Sequence, residues 1–111
     1  MNQIAEASIL FDLYGKLLTE KKRQVMSLYY EENLSLSEIA EEQGISRAAV
    51  HDALKSAEKN LITYEEKLGL RKAYMERQKN LNDLRKELEK SGALKTKSAK
   101  SIEKLLSKLE D

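Results

Sequence analysis

The chain contains no cysteine, no proline and no tryptophan, and only four glycines and one histidine among its 111 residues. Without cysteine, disulfides and thiolate chemistry are excluded. A lone histidine, His51, cannot assemble a histidine-based metal site, so neither a metal nor another cofactor is expected. The scarcity of proline and glycine removes the usual turn residues of β-rich folds and permits long helices with few interruptions. Aromatic residues supply only 5% of the chain, whereas charged residues supply 35%. That balance favours thin helical bundles with solvated outer faces over a thick globule. No uninterrupted apolar run approaches the ~18 residues that a membrane-spanning helix needs, so no membrane insertion is expected. The first ten residues carry no basic stretch followed by an apolar run, so no signal peptide is read and the expected location is the cytoplasm. Glycine-rich phosphate loops are absent, and the adjacent pairs Glu41-Glu42 and Glu65-Glu66 would diverge on a helix rather than converge in a cleft. The expectation is a binding protein with no catalytic residues and no small-molecule substrate.

What the chain does have is charge, unevenly placed. Its formal net charge is +1, but residues 1–70 hold 8 basic and 12 acidic side chains, net −4, and residues 71–111 hold 12 and 7, net +5. An acidic body therefore precedes a basic tail. The domain reading follows: residues 1–68 form a helical domain and residues 69–111 a charged helical extension.

Apolar spacing predicts a first helix over residues 4–18, with Ile9 or Leu10, Leu13 and Leu17 on its buried face. Thr19 reads as the N-cap of a second helix running to about Asn33, which buries some combination of Val25, Met26, Leu28 and Tyr29. Glu31 and Glu32 sit awkwardly at its negative dipole end, so fraying is expected there. Ser35 and Glu38 fit a capping box. A short third helix then ends at Gly44, and Ser46 caps a fourth that reaches about Leu68. A fifth spans about residues 70–90, and a last begins near Ser98 with Ile102, Leu105, Leu106 and Leu109 on one face.

Residues 36–55 carry the most specific signal. Two helices crossing steeply over a short turn need a small residue at closest approach, supplied by Ala40, and a turn residue that tolerates positive φ, supplied by Gly44. Ile39, Ile45, Val50, Ala53 and Leu54 form the apolar set that locks such a pair onto neighbouring helices. The pattern is a helix-turn-helix, and the fold class is all-α. In that geometry the start of the second helix faces a DNA major groove. Ser46, Arg47, Ala48, His51 and Lys55 remain outside the apolar set and are the candidate nucleic-acid contacts. Arg47 suits guanine or phosphate, the amides near Ser46 attract phosphate, and Lys55 suits a phosphate contact. Against this, residues 29–45 contain Glu31, Glu32, Glu38, Glu41 and Glu42 with no Lys or Arg. The alternative reading is a protein or RNA interaction module that keeps the helix-turn-helix as a scaffold.

Leu-Thr-Glu-Lys-Lys-Arg-Gln-Val-Met-Ser-Leu-Tyr-Tyr at 18–30, Ser-Glu-Ile-Ala at 37–40 and Gly-Ile-Ser-Arg at 44–47 resemble the fourth region of bacterial sigma factors. The closer resemblance, covering about residues 4–90, is to the YlxM family of helix-turn-helix proteins. It includes Leu-Phe-Asp-Leu-Tyr at 10–14 and Tyr-Glu-Glu-Lys-Leu at 64–68. The sigma-factor likeness implies reading positions at Arg47, Ala48 and His51. Where that surface is basic and polar, this chain carries Ala48, Ala49 and Asp52. The YlxM likeness implies a regulatory role beside the signal recognition particle, with its protein or RNA as partners.

In the tail, Leu70, Tyr74, Leu81, Leu84 and Leu88 fall on a heptad seam broken by Arg77. The seam can pack back within the chain or pair with a second copy. A homodimer is favoured, because the core is thin and helix-turn-helix proteins commonly pair to match two half-sites. Lys86, Lys90, Lys95, Lys97, Lys100, Lys104 and Lys108 make the end of the tail suited to RNA or phosphate.

Overall fold

A computed structural model describes residues 3–110, with side chains from residue 5 onward. All regular structure among these residues is helical, in two compact units divided between Arg71 and Lys72.

The first unit contains α1 (Gln3–Tyr14), a single 3-10 turn (Gly15–Leu17), α2 (Glu20–Tyr30), α3 (Leu36–Gln43) and α4 (Arg47–Leu68). The helix boundaries follow local chemistry. Thr19 accepts from the Lys22 amide and starts α2. Ser35 accepts from the Glu38 amide at 3.1 Å while Glu38 accepts from the Ser35 amide at 2.9 Å, completing the capping box of α3. Gly44 closes α3 at φ 66°, a left-handed conformation that a Cβ would strain. Ser46 accepts from the Ala49 amide at 3.0 Å and starts α4. α2 stops at Tyr30, three residues short of the expected end. Asn33 takes φ 57°, and the Leu34 amide donates back to the Leu28 carbonyl at 3.0 Å. That closure satisfies carbonyls at the end where Glu31 and Glu32 disfavour a longer helix.

The core unites all four helices: Leu10, Phe11, Tyr14, Leu18, Val25, Met26, Ile39, Val50, Leu54, Ala57 and Leu61 are buried together. Leu28, Tyr29, Ala40, Ile45 and Ala53 pack against them partly buried. The expected inward face of α1 is corrected by the structure. Leu13 and Leu17 are 41% and 54% exposed, and Phe11, Tyr14 and Leu18 take the interior instead. The rotation has a local cause. α1 ends at Tyr14, and Gly15 is buried so close to Phe11 that an added Cβ would lie 2.8 Å from the ring. The chain tightens there, and continuing the helical phase through residue 17 fails.

α4 ends at Gly69, and α5 (Leu70–Lys90) follows. Most of α5 belongs to the second unit, with a 3-10 turn (Ala93–Lys95) and α6 (Ala99–Glu110). Arg85 fastens this hairpin: its guanidinium donates to both Glu103 oxygens at 2.9 Å and to Glu110 at 2.7 Å. Those carboxylates hold the Arg85 pKa above its ordinary value. Gln78 donates to the Glu110 carbonyl at 3.3 Å, so α5 and α6 run antiparallel. Of the expected seam, Leu81 is buried, while Leu70, Tyr74 and Leu84 are exposed. Of the expected α6 face, Leu106 is buried, while Leu105 and Leu109 are exposed.

Candidate nucleic-acid interface

α4 divides its residues between two jobs. Val50, Leu54, Ala57 and Leu61 point into the core and fix the helix against α1, α2 and α3. Arg47, Ala48, His51, Asp52 and Lys55 are exposed alongside that buried stripe. At 3.6 residues per turn, Arg47, Ala48, His51 and Lys55 share one face of the first two and a half turns. The structure therefore brings four of the five candidate contacts onto one surface. The fifth, Ser46, sits at the start of that face with its hydroxyl oxygen occupied by the Ala49 amide.

Arg47 and Lys55 form no ion pair among the described residues, so both cations face solvent. Asp52 lies beside His51, with Oδ1 3.7 Å from Nδ1, and places a carboxylate on the edge of this face. Lys59, one turn beyond Lys55, is also exposed and extends the cationic stripe; the sequence reading did not single it out.

A pocket of 210 Å³ opens next to these side chains, lined by Tyr29, Tyr30, Leu36, His51, Leu54, Lys55 and Glu58. Tyr30 donates to Glu58 Oε1 at 2.8 Å, and the two tyrosine rings meet edge to face with centroids 5.0 Å apart. Burial, reinforced by the Glu58 carboxylate, raises the Tyr30 pKa above its ordinary value. Tyr30 and Glu58 thus shape the rim on which His51 and Lys55 stand. The sequence signal was the spacing of Glu58, three residues after Lys55 and seven after His51, which puts all three on one helical face.

The neighbouring surface is of opposite sign. Glu38, Glu41 and Glu42 are exposed on α3 and, with Leu34, line an open cavity of 420 Å³. The Glu38 carboxyl is held below its ordinary pKa, first by the Ser35 amide and then by the Ser35 hydroxyl. It therefore stays ionised and keeps this face acidic at neutral pH. Among the described residues there is no group of three His, Cys, Asp or Glu arranged to hold a metal ion. No helix among them is long and apolar enough to cross a membrane.

A capped α3–turn–α4 pair, locked by Ile39 and Val50 onto two preceding helices, defines a helix-turn-helix protein. The comparisons with known proteins agree. The chain belongs to the UPF0122 family, whose model, described as "Putative helix-turn-helix protein, YlxM / p13 like", matches residues 1–107. A UPF0122 protein of Clostridium botulinum is 44% identical over 97 residues, covering 87% of this chain and 89% of the relative. One from Desulforamulus reducens is 48% identical over 81 residues, covering 73% and 69%. One from Listeria welshimeri is 42% identical over 98 residues, covering 88% and 89%.

Proposed function

We infer that this protein is a DNA-binding regulator that reads duplex DNA through Ser46, Arg47, Ala48, His51 and Lys55. The observation that carries the reading is the division of α4. Its buried side seats the helix, while its capped N-terminal turns leave Arg47, His51 and Lys55 exposed on one face. Arg47 in the first turn suits a bidentate contact to guanine, and Lys55 and Lys59 suit phosphates. Catalysis plays no part in this function. A homodimer would set two copies of α4 against two half-sites. The likeness to YlxM proteins supports linking the regulation to the signal recognition particle pathway.

One observation favours a second reading. The exposed acids of α3, Glu38, Glu41 and Glu42, lie where the first helix of the motif would cross the phosphate backbone. They repel DNA and suit a cationic protein surface, which would make the helix-turn-helix a docking scaffold. The two readings separate on one experiment, duplex binding by the wild type, Arg47→Ala and Lys55→Ala. The regulator loses roughly tenfold or more with Arg47→Ala, the scale of one base contact. The scaffold shows no saturable duplex binding in any of the three.

A further inference from the structure

Asp52 stands at the edge of the candidate contact face, with its side chain 87% exposed. Counting about 100° per residue, it lies about 140–180° around α4 from each of the buried residues Val50, Leu54, Ala57 and Leu61. In the first two turns only Ala48 comes comparably close to the pole turned away from the core, and Arg47 and His51 stand nearer the buried stripe. A helix seated along one stripe and laid in a groove brings the opposite ridge nearest the groove floor. On duplex DNA, Ala48 and Asp52 are therefore well placed to meet base edges. The exposed Lys55 and Lys59 continue the same ridge.

Facing phosphate, a carboxylate on this ridge costs affinity, because non-specific binding rests on cationic side chains. Facing bases, it acts as a filter. A carboxylate accepts hydrogen bonds and donates none. In the major groove guanine presents N7 and O6 and thymine presents O4, all acceptors, so both repel it. Adenine sets its N6 donor beside the N7 acceptor, so one carboxylate oxygen is satisfied while the other faces a lone pair. Cytosine presents its N4 amino group with no acceptor next to it. The carboxylate is also available for such a donor. Among the described residues its one ion-pair contact is with His51 Nδ1 at 3.7 Å, too long for a hydrogen bond.

We propose that Asp52 is a specificity-determining residue of the DNA interface, selecting cytosine on the contacted strand through its N4 amino group. The inference rests on the DNA-reading function proposed above and assigns it a base. The same carboxylate disfavours every register in which a phosphate or an acceptor base edge faces it, so attraction and repulsion both contribute to the choice of site.

Selection of bound duplexes from a pool of randomised sequence, by the full-length wild type, Asp52→Asn and Asp52→Ala, tests it. The wild type is expected to enrich a site with a C·G pair at one position. Asp52→Asn is expected to exchange that pair for A·T, because a carboxamide donates and accepts as adenine N7 and N6 require. Asp52→Ala is expected to accept all four pairs there and to keep the preferences at the other positions. On the selected site, replacing that pair is expected to cost the wild type roughly tenfold or more in affinity and Asp52→Ala little. A merely structural role for Asp52 gives a uniform loss with no exchange of base, which overturns the proposal. A wild type that binds no duplex overturns the DNA reading and this inference together. Duplex binding in which no position responds to either substitution keeps the DNA reading and overturns Asp52 as a reader. A responding position that holds A·T in the wild type overturns the assignment to cytosine.

Discussion

The Tyr14 hydroxyl donates to Glu65 Oε1 at 2.7 Å, joining the end of α1 to the end of α4 across 51 residues. Both groups also serve the start of α5. The Leu70 amide donates to the Tyr14 oxygen at 3.0 Å, and the Arg71 amide donates to Glu65 Oε1 at 2.9 Å. Arg71 itself reaches Glu6 on α1 at 2.7 Å, and Tyr64 donates to the Leu17 carbonyl at 3.1 Å. The two sequence blocks at 10–14 and 64–68, far apart in the chain, are thus two halves of one knot that fixes where α4 ends.

Tyr14→Phe keeps the ring and removes the hydroxyl, leaving Glu65 and the Leu70 amide each short of a partner. The expected loss is about 1–3 kcal/mol in urea unfolding at neutral pH. An unchanged midpoint would show that water replaces the hydroxyl at no cost.

The same residue sets an alkaline limit. Burial, then the bond to Glu65, pushes the Tyr14 pKa above its ordinary value, while the Leu70 amide acts against them. The folded state therefore favours the protonated phenol. This contribution is fully present below the unfolded tyrosine pKa of about 10 and is lost as pH rises through the higher folded value. Stability measured across that range should fall less steeply in Tyr14→Phe than in the wild type, with Tyr30 accounting for much of the remaining slope.

Gly15→Ala sets a methyl group 2.8 Å from the buried Phe11 ring. Overpacking of this kind costs about 1–3 kcal/mol. Thermal unfolding of Gly15→Ala against Gly15→Ala with Phe11→Leu separates the clash from any change in backbone freedom, because the smaller side chain should recover part of the loss.

The capping box predicts an acid dependence. Because the Glu38 pKa is lowered in the fold, its contribution is present above the unfolded value of about 4.3 and is lost as pH falls through the folded one. Ser35→Ala should cost about 1 kcal/mol at neutral pH. Glu38→Gln should flatten the acid limb of stability, and an unaltered acid limb would assign it to other carboxylates.

Much of this architecture was legible, and the reason is local. Ser35 with Glu38, Gly44 and Ser46 each bring their own boundary chemistry, so α3 and the start of α4 could be placed to the residue. The face of α1 was not legible. Ile9, Leu10, Phe11 and Leu13 are nearly contiguous apolar residues, so spacing fixes no phase, and the deciding partners of Tyr14 and Gly15 lie in the tertiary fold. The candidate contacts on α4 could be named because their complement, Val50, Ala53 and Leu54, is apolar at helical spacing. Tyr30 as part of the pocket rim was hidden, since only folding brings it to Glu58. The open side of α6 was hidden for the same reason, because it depends on which carboxylates Arg85 holds.

Arg85→Met tests that dependence. It removes the bonds to Glu103 and Glu110, so amide hydrogen exchange across α6 should accelerate while the core amides of α4 keep their protection. Unaltered α6 protection would mean that Leu81 and Leu106 hold the hairpin without the ion pairs.

The most direct test of the central claim is the salt dependence of duplex binding by the wild type and Lys55→Ala, followed by fluorescence anisotropy on a labelled mixed-sequence duplex. A DNA-contacting α4 predicts saturable binding whose affinity, on a logarithmic scale, falls linearly with the logarithm of salt concentration, and a slope shallower by about 0.9 in Lys55→Ala, one phosphate contact fewer. Absence of saturable binding at low salt, or a slope that Lys55→Ala leaves untouched, would contradict α4 as the DNA-contacting helix.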